Sequence, residues 1–196
     1  MAVNFGGGET SSFATFNSIE TTLSGSFKAP ARCGIHTKKG GRIKASFSAT
    51  SSQWFHLDMH VGLINSTLSP IVISDLSNSP LFTLMSSGSV KLGSTVVGSA
   101  PIVVAGLCTI DIHLVHGSSG LVEIFVNSQP VFSSTGDYNF SNMAYLTLSP
   151  IGTNSTDVTD TVWSQVIISD EITISNELAT LVFTALGDLT DWGGQV

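Results

Sequence analysis

Two histidines and an aspartate alternate along one short segment of the sequence, where they could share a metal ion. His56, Asp58 and His60 are interleaved with apolar residues, and this period of two predicts a β-strand with the three polar side chains on one face. Alternate residues of a strand lie about 6.6–7 Å apart, so adjacent pairs could bind one divalent ion such as zinc. The alternative is a polar strand face whose histidines bond to cross-strand partners. That alternative is the commoner one, so we expect no structural metal.

A second polar pair, Asp111 and His113, alternates with apolar residues in the same way. It would complete a His/Asp cluster if its strand lay beside the first one. Glycoside hydrolysis requires two carboxyl groups about 5–10 Å apart across a cleft, and Asp58 and Asp111 are the only acids that the pattern places firmly on a polar strand face. The sequence has no GxSxG nucleophile elbow. We therefore expect no enzymatic activity.

A loop rich in oxygen ligands is the one place where the sequence suggests calcium. Asp157 and Asp160 follow Asn154 in the segment NSTDVTD, and carboxylate and amide oxygens are the ligands that calcium prefers. The alternative is a solvated turn, which we favour. No cofactor is expected, with calcium as the open alternative.

The positioning elements are predicted to be strands. The chain has 196 residues, of which 42% are hydrophobic and 11% charged, so it is globular rather than disordered. Many short alternating segments separated by Gly, Ser, Asn and Pro predict an all-β fold, an antiparallel β-sandwich or jelly roll. We expect a single domain over residues 1–196, with a flexible N-terminal entry over about 1–12 and a C-terminal tail over about 176–196. The predicted core comprises Phe55, Leu57, Met59, Ile110, Ile112, Leu114, Ile124 and Val126.

The clearest supersecondary signal runs from Thr109 to Val131. Two alternating runs flank the turn Gly117-Ser118-Ser119-Gly120, and a second tight turn at Asn127-Ser128 leads into a third strand. This predicts a three-stranded antiparallel meander. Cys33 and Cys108 are far apart in the sequence and lack zinc-finger spacing, so they are interpreted as buried free thiols, with a disulfide as the alternative.

Charge is unevenly distributed. The net charge of −7 argues against nucleic-acid binding, and no apolar run is long enough to span a membrane. Six of the seven basic residues lie in one segment, which could dock onto an acidic surface, including another copy of the chain. The alternative is a solvated edge strand whose lysines discourage aggregation. The docking candidates are Lys28, Arg32, Lys38, Lys39, Arg42 and Lys44.

Aromatic side chains provide candidates for sugar binding, because a sugar ring can stack on an aromatic face. The candidates are Trp54, Tyr138, Tyr145 and Trp192. The first residues, Met1 to Gly6, show neither a charged start nor an apolar core, which predicts no classical export.

The second half of the chain resembles the concanavalin-A-like, laminin-G-like jelly rolls. Val122–Ser128 is similar to the strand of that family that turns back at Asn-Gly, with Ser128 in the place of the glycine, and Trp163–Glu171 is similar to its closing strand. With Leu178–Leu181 and Gly187–Gly194, it resembles more specifically a bacteriophage structural-protein variant. Ile172–Ser175 lacks the arginine typical there. In the first half, only the strand from Trp54 to Val61 shares the likeness.

This resemblance implies a non-catalytic structural and interaction protein of a bacteriophage virion, either capsid-decorating or tail-accessory. Its partners would be other virion proteins and further copies of itself, and its location the virion, assembled in the cytoplasm of the host bacterium. The alternative is a lectin-like module that recognises a cell-surface glycan. A glucanase-type glycoside hydrolase comes third, because the E-x-D-x-E pattern of the glucanases with this kind of sandwich is absent.

Overall fold

Two antiparallel β-sheets stacked as a sandwich make up the part of the chain that the computed structural model describes. The described residues are 3–7, 14–16, 19–23, 33–37, 42–61, 70–102, 106–149 and 161–174. Within these ranges there is no helix, and hence none that could cross a membrane. The strands are β1 (Val3–Gly7), β2 (Ala14–Phe16), β3 (Ile19–Leu23), β4 (Cys33–Thr37), β5 (Arg42–Ser46), β6 (Ser52–Val61), β7 (Ile71–Ser74), β8 (Pro80–Leu84), β9 (Ser89–Leu92), β10 (Thr95–Ser99), β11 (Gly106–Val115), β12 (Gly117–Val126), β13 (Gln129–Tyr138), β14 (Tyr145–Leu148) and β15 (Thr161–Ser169).

The two sheets differ in strand content. The large sheet has the order β13-β12-β11-β6-β15-β4-β3, with β1 also paired to β15, and the small sheet has the order β10-β9-β8-β7-β14-β5-β2. Strands far apart in sequence are therefore neighbours, as β6 and β15 are. The architecture is the predicted all-β antiparallel sandwich.

The core lies between the inner faces of the two sheets, and alternation along the strands produces it. All eight predicted core residues are buried, with at most 8% of each exposed. Residues of the small sheet meet them from the other side. These include Ile43, Ile71, Ile73, Phe82, Leu84 and Leu146. Cys108 is also buried in this core as a free thiol.

The predicted meander is confirmed as β11, β12 and β13. Asn127 and Ser128 have φ values of 50° and 65°, which is the backbone of a type I′ turn. The Gly-Ser-Ser-Gly segment lies between Val115 and Leu121, the last pair of the β11–β12 ladder, and its residues also extend along β13. Gly117 has a φ of 128°, a conformation that a side chain would strain.

The N-terminal entry is not wholly irregular. Val3–Gly7 forms β1, where the sequence predicted a flexible segment, and it pairs with residues 166–169 of β15. The reason is that β4 pairs only with residues 161–163 of β15, which leaves backbone groups further along that edge for β1 to bond. The predicted tail over 176–196 lies outside the described residues.

Candidate functional site

The two polar strand segments found in the sequence are neighbours on the outer face of the large sheet. In the β6–β11 ladder, Asp111 lies opposite His56, Thr109 opposite Asp58, and His113 opposite Trp54. The His/Asp cluster that depended on adjacent strands therefore exists.

His56 and Asp111 form the centre of a buried network. The His56 Nδ1 and Asp111 Oδ1 atoms are 2.8 Å apart, and the Thr173 hydroxyl donates to the same oxygen at 2.9 Å. Only 2% of His56 and none of Asp111 is exposed. His56 Nε2 and Asp111 Oδ2 are buried without a hydrogen-bond partner. The pair is thus closed to a solvent-borne substrate.

Asp58 has structural partners on both of its oxygens. The Thr109 hydroxyl donates to Oδ1 at 2.7 Å, and the Gln165 side-chain amide donates to Oδ2 at 3.0 Å. Gln165 lies where the pairing of β15 with β6 shifts, between Ser164 and Ile167, and has a φ of 46°. Neither Gln165 nor Thr173 was singled out from the sequence, because a bulge and a loop bring them to the cluster.

The candidate metal ligands do not assemble into a metal site where they are described. In the ranges that the structure covers, no three His, Cys, Asp or Glu side chains are grouped to hold an ion. His60 lies on β6, but its side chain is not described, and Asp157 and Asp160 lie outside the described residues.

Trp54 is packed against a histidine. The Trp54 indole and the His113 imidazole are stacked with centroids 4.1 Å apart at 8°, and the Phe125 ring lies 6.0 Å away. His113 Nδ1 lies 3.0 Å from a Glu123 carboxylate oxygen, and Nε2 lies 2.9 Å from the Ser52 hydroxyl. Because the two rings are stacked, His113 covers one face of the Trp54 indole, and only 8% of Trp54 is exposed.

The two tyrosine candidates also have neighbours. The Tyr138 and Ser134 hydroxyl oxygens are 2.7 Å apart, and the Tyr138 ring lies 5.8 Å from Phe140. The Lys44 ammonium lies 3.4 Å from the centroid of the Tyr145 ring. Trp192 is outside the described residues. Sugar stacking on any of the four candidates stays a prediction.

Arg42 and Lys44 alternate with the buried Ile43 and therefore lie on the outer face of the small sheet. Their strand, β5, pairs with both β14 and β2, so it is not the edge strand of the alternative interpretation. Lys91 lies on the same outer face, because it alternates with the buried Val90. The other docking candidates, Lys28, Arg32, Lys38 and Lys39, lie outside the described residues.

A cavity of about 440 Å³ lies at one end of the sandwich, beside the small sheet. Three chain segments meet there: the residues after β5, the β7–β8 loop and the β13–β14 loop. The lining residues are Phe47, Ser48, Asp75, Leu76, Ser77, Ser141, Asn142, Met143 and Ala144. None of them was a candidate from the sequence.

Backbone hydrogen bonds fix the three segments against one another. The Phe47 amide donates to the Ala144 carbonyl at 3.0 Å, and the Ala144 amide donates to the Ser74 carbonyl at 2.9 Å. The Phe47 ring meets the core residue Phe55 edge-on, with centroids 5.3 Å apart. The floor of the cavity is therefore preformed.

Asp75 organises the β7–β8 loop from its first residue. Its Oδ1 atom accepts the backbone N–H groups of Ser77 and Ser79, both at 2.8 Å. This is the turn that an Asp side chain builds by bonding backbone groups just after it. Asn78 has a φ of 63°, a left-handed conformation that asparagine tolerates. Oδ2 takes part in neither bond and so is available to a ligand.

The lining groups combine apolar surface with hydrogen-bonding groups. Phe47 supplies an aromatic ring, and Leu76, 76% exposed, supplies an aliphatic rim. The Asp75 carboxylate accepts hydrogen bonds, whereas the Asn142 amide and the serine hydroxyls can donate and accept. A small polyhydroxylated ligand matches this combination.

Comparison with known proteins identifies the fold. No family model matches the sequence, and no curated protein matches it significantly. Among solved structures, the Trypanosoma cruzi calreticulin globular domain has a TM-score of 0.60 at 9% identity, covering 88% of this chain and 90% of that one. The endo-β-1,4-glucuronan lyase of the fungus Trichoderma reesei has a TM-score of 0.57 at 9% identity, covering 83% of this chain and 91% of that one. The binding domain of Paraclostridial Mosquitocidal Protein 1 has a TM-score of 0.57 at 9% identity, covering 86% of this chain and 48% of that one. At these identities the likeness shows the fold alone, and the chain has the antiparallel β-sandwich, jelly-roll fold.

Proposed function

We propose that this chain is a non-catalytic carbohydrate-binding domain whose ligand occupies the end cavity. The observation that carries the proposal is the preformed cavity, with the Phe47 ring and the exposed Leu76 beside the Asp75 carboxylate and the Asn142 amide. Sugars present apolar ring faces and hydroxyl groups together, so both kinds of lining group have a counterpart in the ligand. The fold is compatible with such ligands, because one similar structure is an endo-β-1,4-glucuronan lyase.

The state of the two candidate acids supports a role without catalysis. Asp58 and Asp111 are 1% and 0% exposed, and both accept hydrogen bonds from neighbouring side chains. A general acid or nucleophile must reach the glycosidic bond, and these carboxylates are closed off from it. We expect incubation with β-glucans or polyuronates to release neither reducing ends nor unsaturated uronides.

We further propose that the domain is displayed on a bacteriophage virion, as a capsid-decorating or tail-accessory protein that docks onto other virion proteins and copies of itself. The support is the resemblance of Trp163–Glu171 and Gly187–Gly194 to the phage variant of this fold. Capsid or tail genes beside its gene, and the chain itself among the proteins of purified virions, are the expected findings. A polysaccharide-utilisation gene cluster in that place would contradict the virion role.

Blocking the cavity tests the binding proposal. Ser48 is an exposed lining residue, so Ser48→Trp fills the cavity without entering the core. Ser87 is an exposed serine in the β8–β9 turn, at the opposite end of the same sheet, so Ser87→Trp is the matched control. On an array of neutral and acidic oligosaccharides, we expect Ser48→Trp to lose at least tenfold in affinity and Ser87→Trp to bind like the wild type. Equal binding by both variants would place the site elsewhere.

A further inference from the structure

We propose that the end cavity selects acidic sugars and that Lys44 is the residue that binds their carboxylate. This inference rests on the proposed carbohydrate-binding function and names the class of ligand. Three observations support it: the position of the Lys44 ammonium, the contacts that hold it there and the N–H donors that it has available for a ligand.

Two contacts hold the Lys44 ammonium against residues that adjoin the cavity lining in sequence. Nζ lies 3.4 Å from the centroid of the Tyr145 ring and donates a hydrogen bond to Asn78 Oδ1. Asn78 follows the lining residue Ser77 in the sequence, and Tyr145 follows the lining residue Ala144. The charge is thus fixed between two of the three segments that build the cavity.

The ammonium retains capacity for an anion. It has three N–H donors, of which Asn78 uses one, while the Tyr145 ring interacts electrostatically with the cation. In the described part of the chain, no carboxylate forms an ion pair with Lys44. A ligand carboxylate can therefore accept a charge-assisted hydrogen bond, which is about twice as strong as a neutral one.

Asp75 gives the site a direction. Its carboxylate lines the cavity, where it accepts hydrogen bonds from sugar hydroxyls and repels a second carboxylate. A uronic acid residue carries both hydroxyl groups and a carboxylate, on different sides of its ring. The geometry favours the orientation with hydroxyl groups towards Asp75 and the carboxylate towards Lys44.

The test compares one pair of ligands on two lysine variants. The probes are the tetrasaccharide of β-1,4-linked glucose and that of β-1,4-linked glucuronic acid, which differ only by the carboxylates. Calorimetry at low salt gives the ratio of their Kd values. We expect the wild type to prefer the acidic probe about tenfold, and Lys44→Gln to lose that preference. Lys91→Gln removes a cation from the same sheet face, four strands away, and this variant should retain the preference for the acidic probe.

The outcomes separate the inference from the function on which it rests. Comparable binding of both probes, with a ratio unchanged in Lys44→Gln, overturns the selection of acidic sugars and leaves carbohydrate binding intact. An equal loss of preference in Lys91→Gln also overturns it, because a general attraction by the basic face would then be the cause. If neither probe nor any array glycan binds, the proposed function fails and this inference with it.

Discussion

Asp111 is the residue on which the buried network of the large sheet depends. One of its oxygens accepts hydrogen bonds from both His56 and Thr173, and none of the residue is exposed. A buried donor that loses its acceptor lowers the free energy of unfolding, because nothing then replaces its lost hydrogen bonds to water. The network therefore joins β6, β11 and the segment after β15 on a face that a sandwich usually leaves to solvent.

Substituting Asp111 tests this role. Asp111→Ala leaves His56 Nδ1 and the Thr173 hydroxyl without an acceptor, and we expect the free energy of unfolding to fall by about 2–6 kcal/mol, about 1–3 kcal/mol for each buried group. Asp111→Asn keeps an oxygen at the same place and should cost much less. Urea denaturation followed by circular dichroism measures both. Equal costs would show that the charge, rather than the acceptor, stabilises the fold.

At the scale of elements, the β12–β13 turn has an unusual composition. Asn127 and Ser128 both have positive φ, and the second position of such a turn ordinarily has a glycine. A serine there bears a conformational cost of about 1–2 kcal/mol that a glycine avoids. The turn nevertheless forms, because the β12–β13 ladder on either side fixes it.

Replacing this serine should stabilise the protein. We expect Ser128→Gly to raise the free energy of unfolding by about 0.5–1 kcal/mol, since relief of strain exceeds the added freedom of the unfolded chain. Ser118, also exposed on β12, does not have a positive φ, so Ser118→Gly should lower the same quantity by about 0.5–1 kcal/mol. Thermal melts of both variants provide the comparison. A stability loss in Ser128→Gly would mean that the serine side chain contributes more than its strain costs.

Period-two patterns made the central strands predictable. The alternation in β6, β11 and β12 places Phe55, Ile112 and Ile124 in the core, and the structure confirms each. β1 was not predictable in this way, since its pairing depends on which part of the β15 edge β4 leaves open. Local sequence carries no information on such a distant partner.

The end cavity was not predictable from the sequence for a related reason. Its lining comes from residues near 47, 75 and 142, which no motif or spacing links. Asp75 within DLSNS signals a turn, but a turn alone is no binding site. By contrast, the sequence predicted that Asp111 would lie near His56 if their strands were neighbours, because both residues lie on strands with clear alternation.

At the scale of the whole molecule, the described positive charges are concentrated on one outer face. The described basic residues, Arg42, Lys44 and Lys91, all lie on the outer face of the small sheet. Asp58, Asp111 and Glu123 belong to the outer face of the large sheet. These cations attract an anionic ligand to the side on which the cavity lies, although Asp75 lines the cavity and the chain as a whole carries a net charge of −7.

The most direct test of the central claim is a titration of the isotope-labelled protein with the glucuronic acid tetrasaccharide, followed by backbone amide chemical shifts. If the end cavity is the binding site, the largest changes should cluster at its lining residues, such as Ser48, Ser77 and Asn142, and extend to Lys44. The amide chemical shifts on the outer face of the large sheet, around Trp54, should not change. Shifts centred on Trp54, or no shifts at all, would contradict the account.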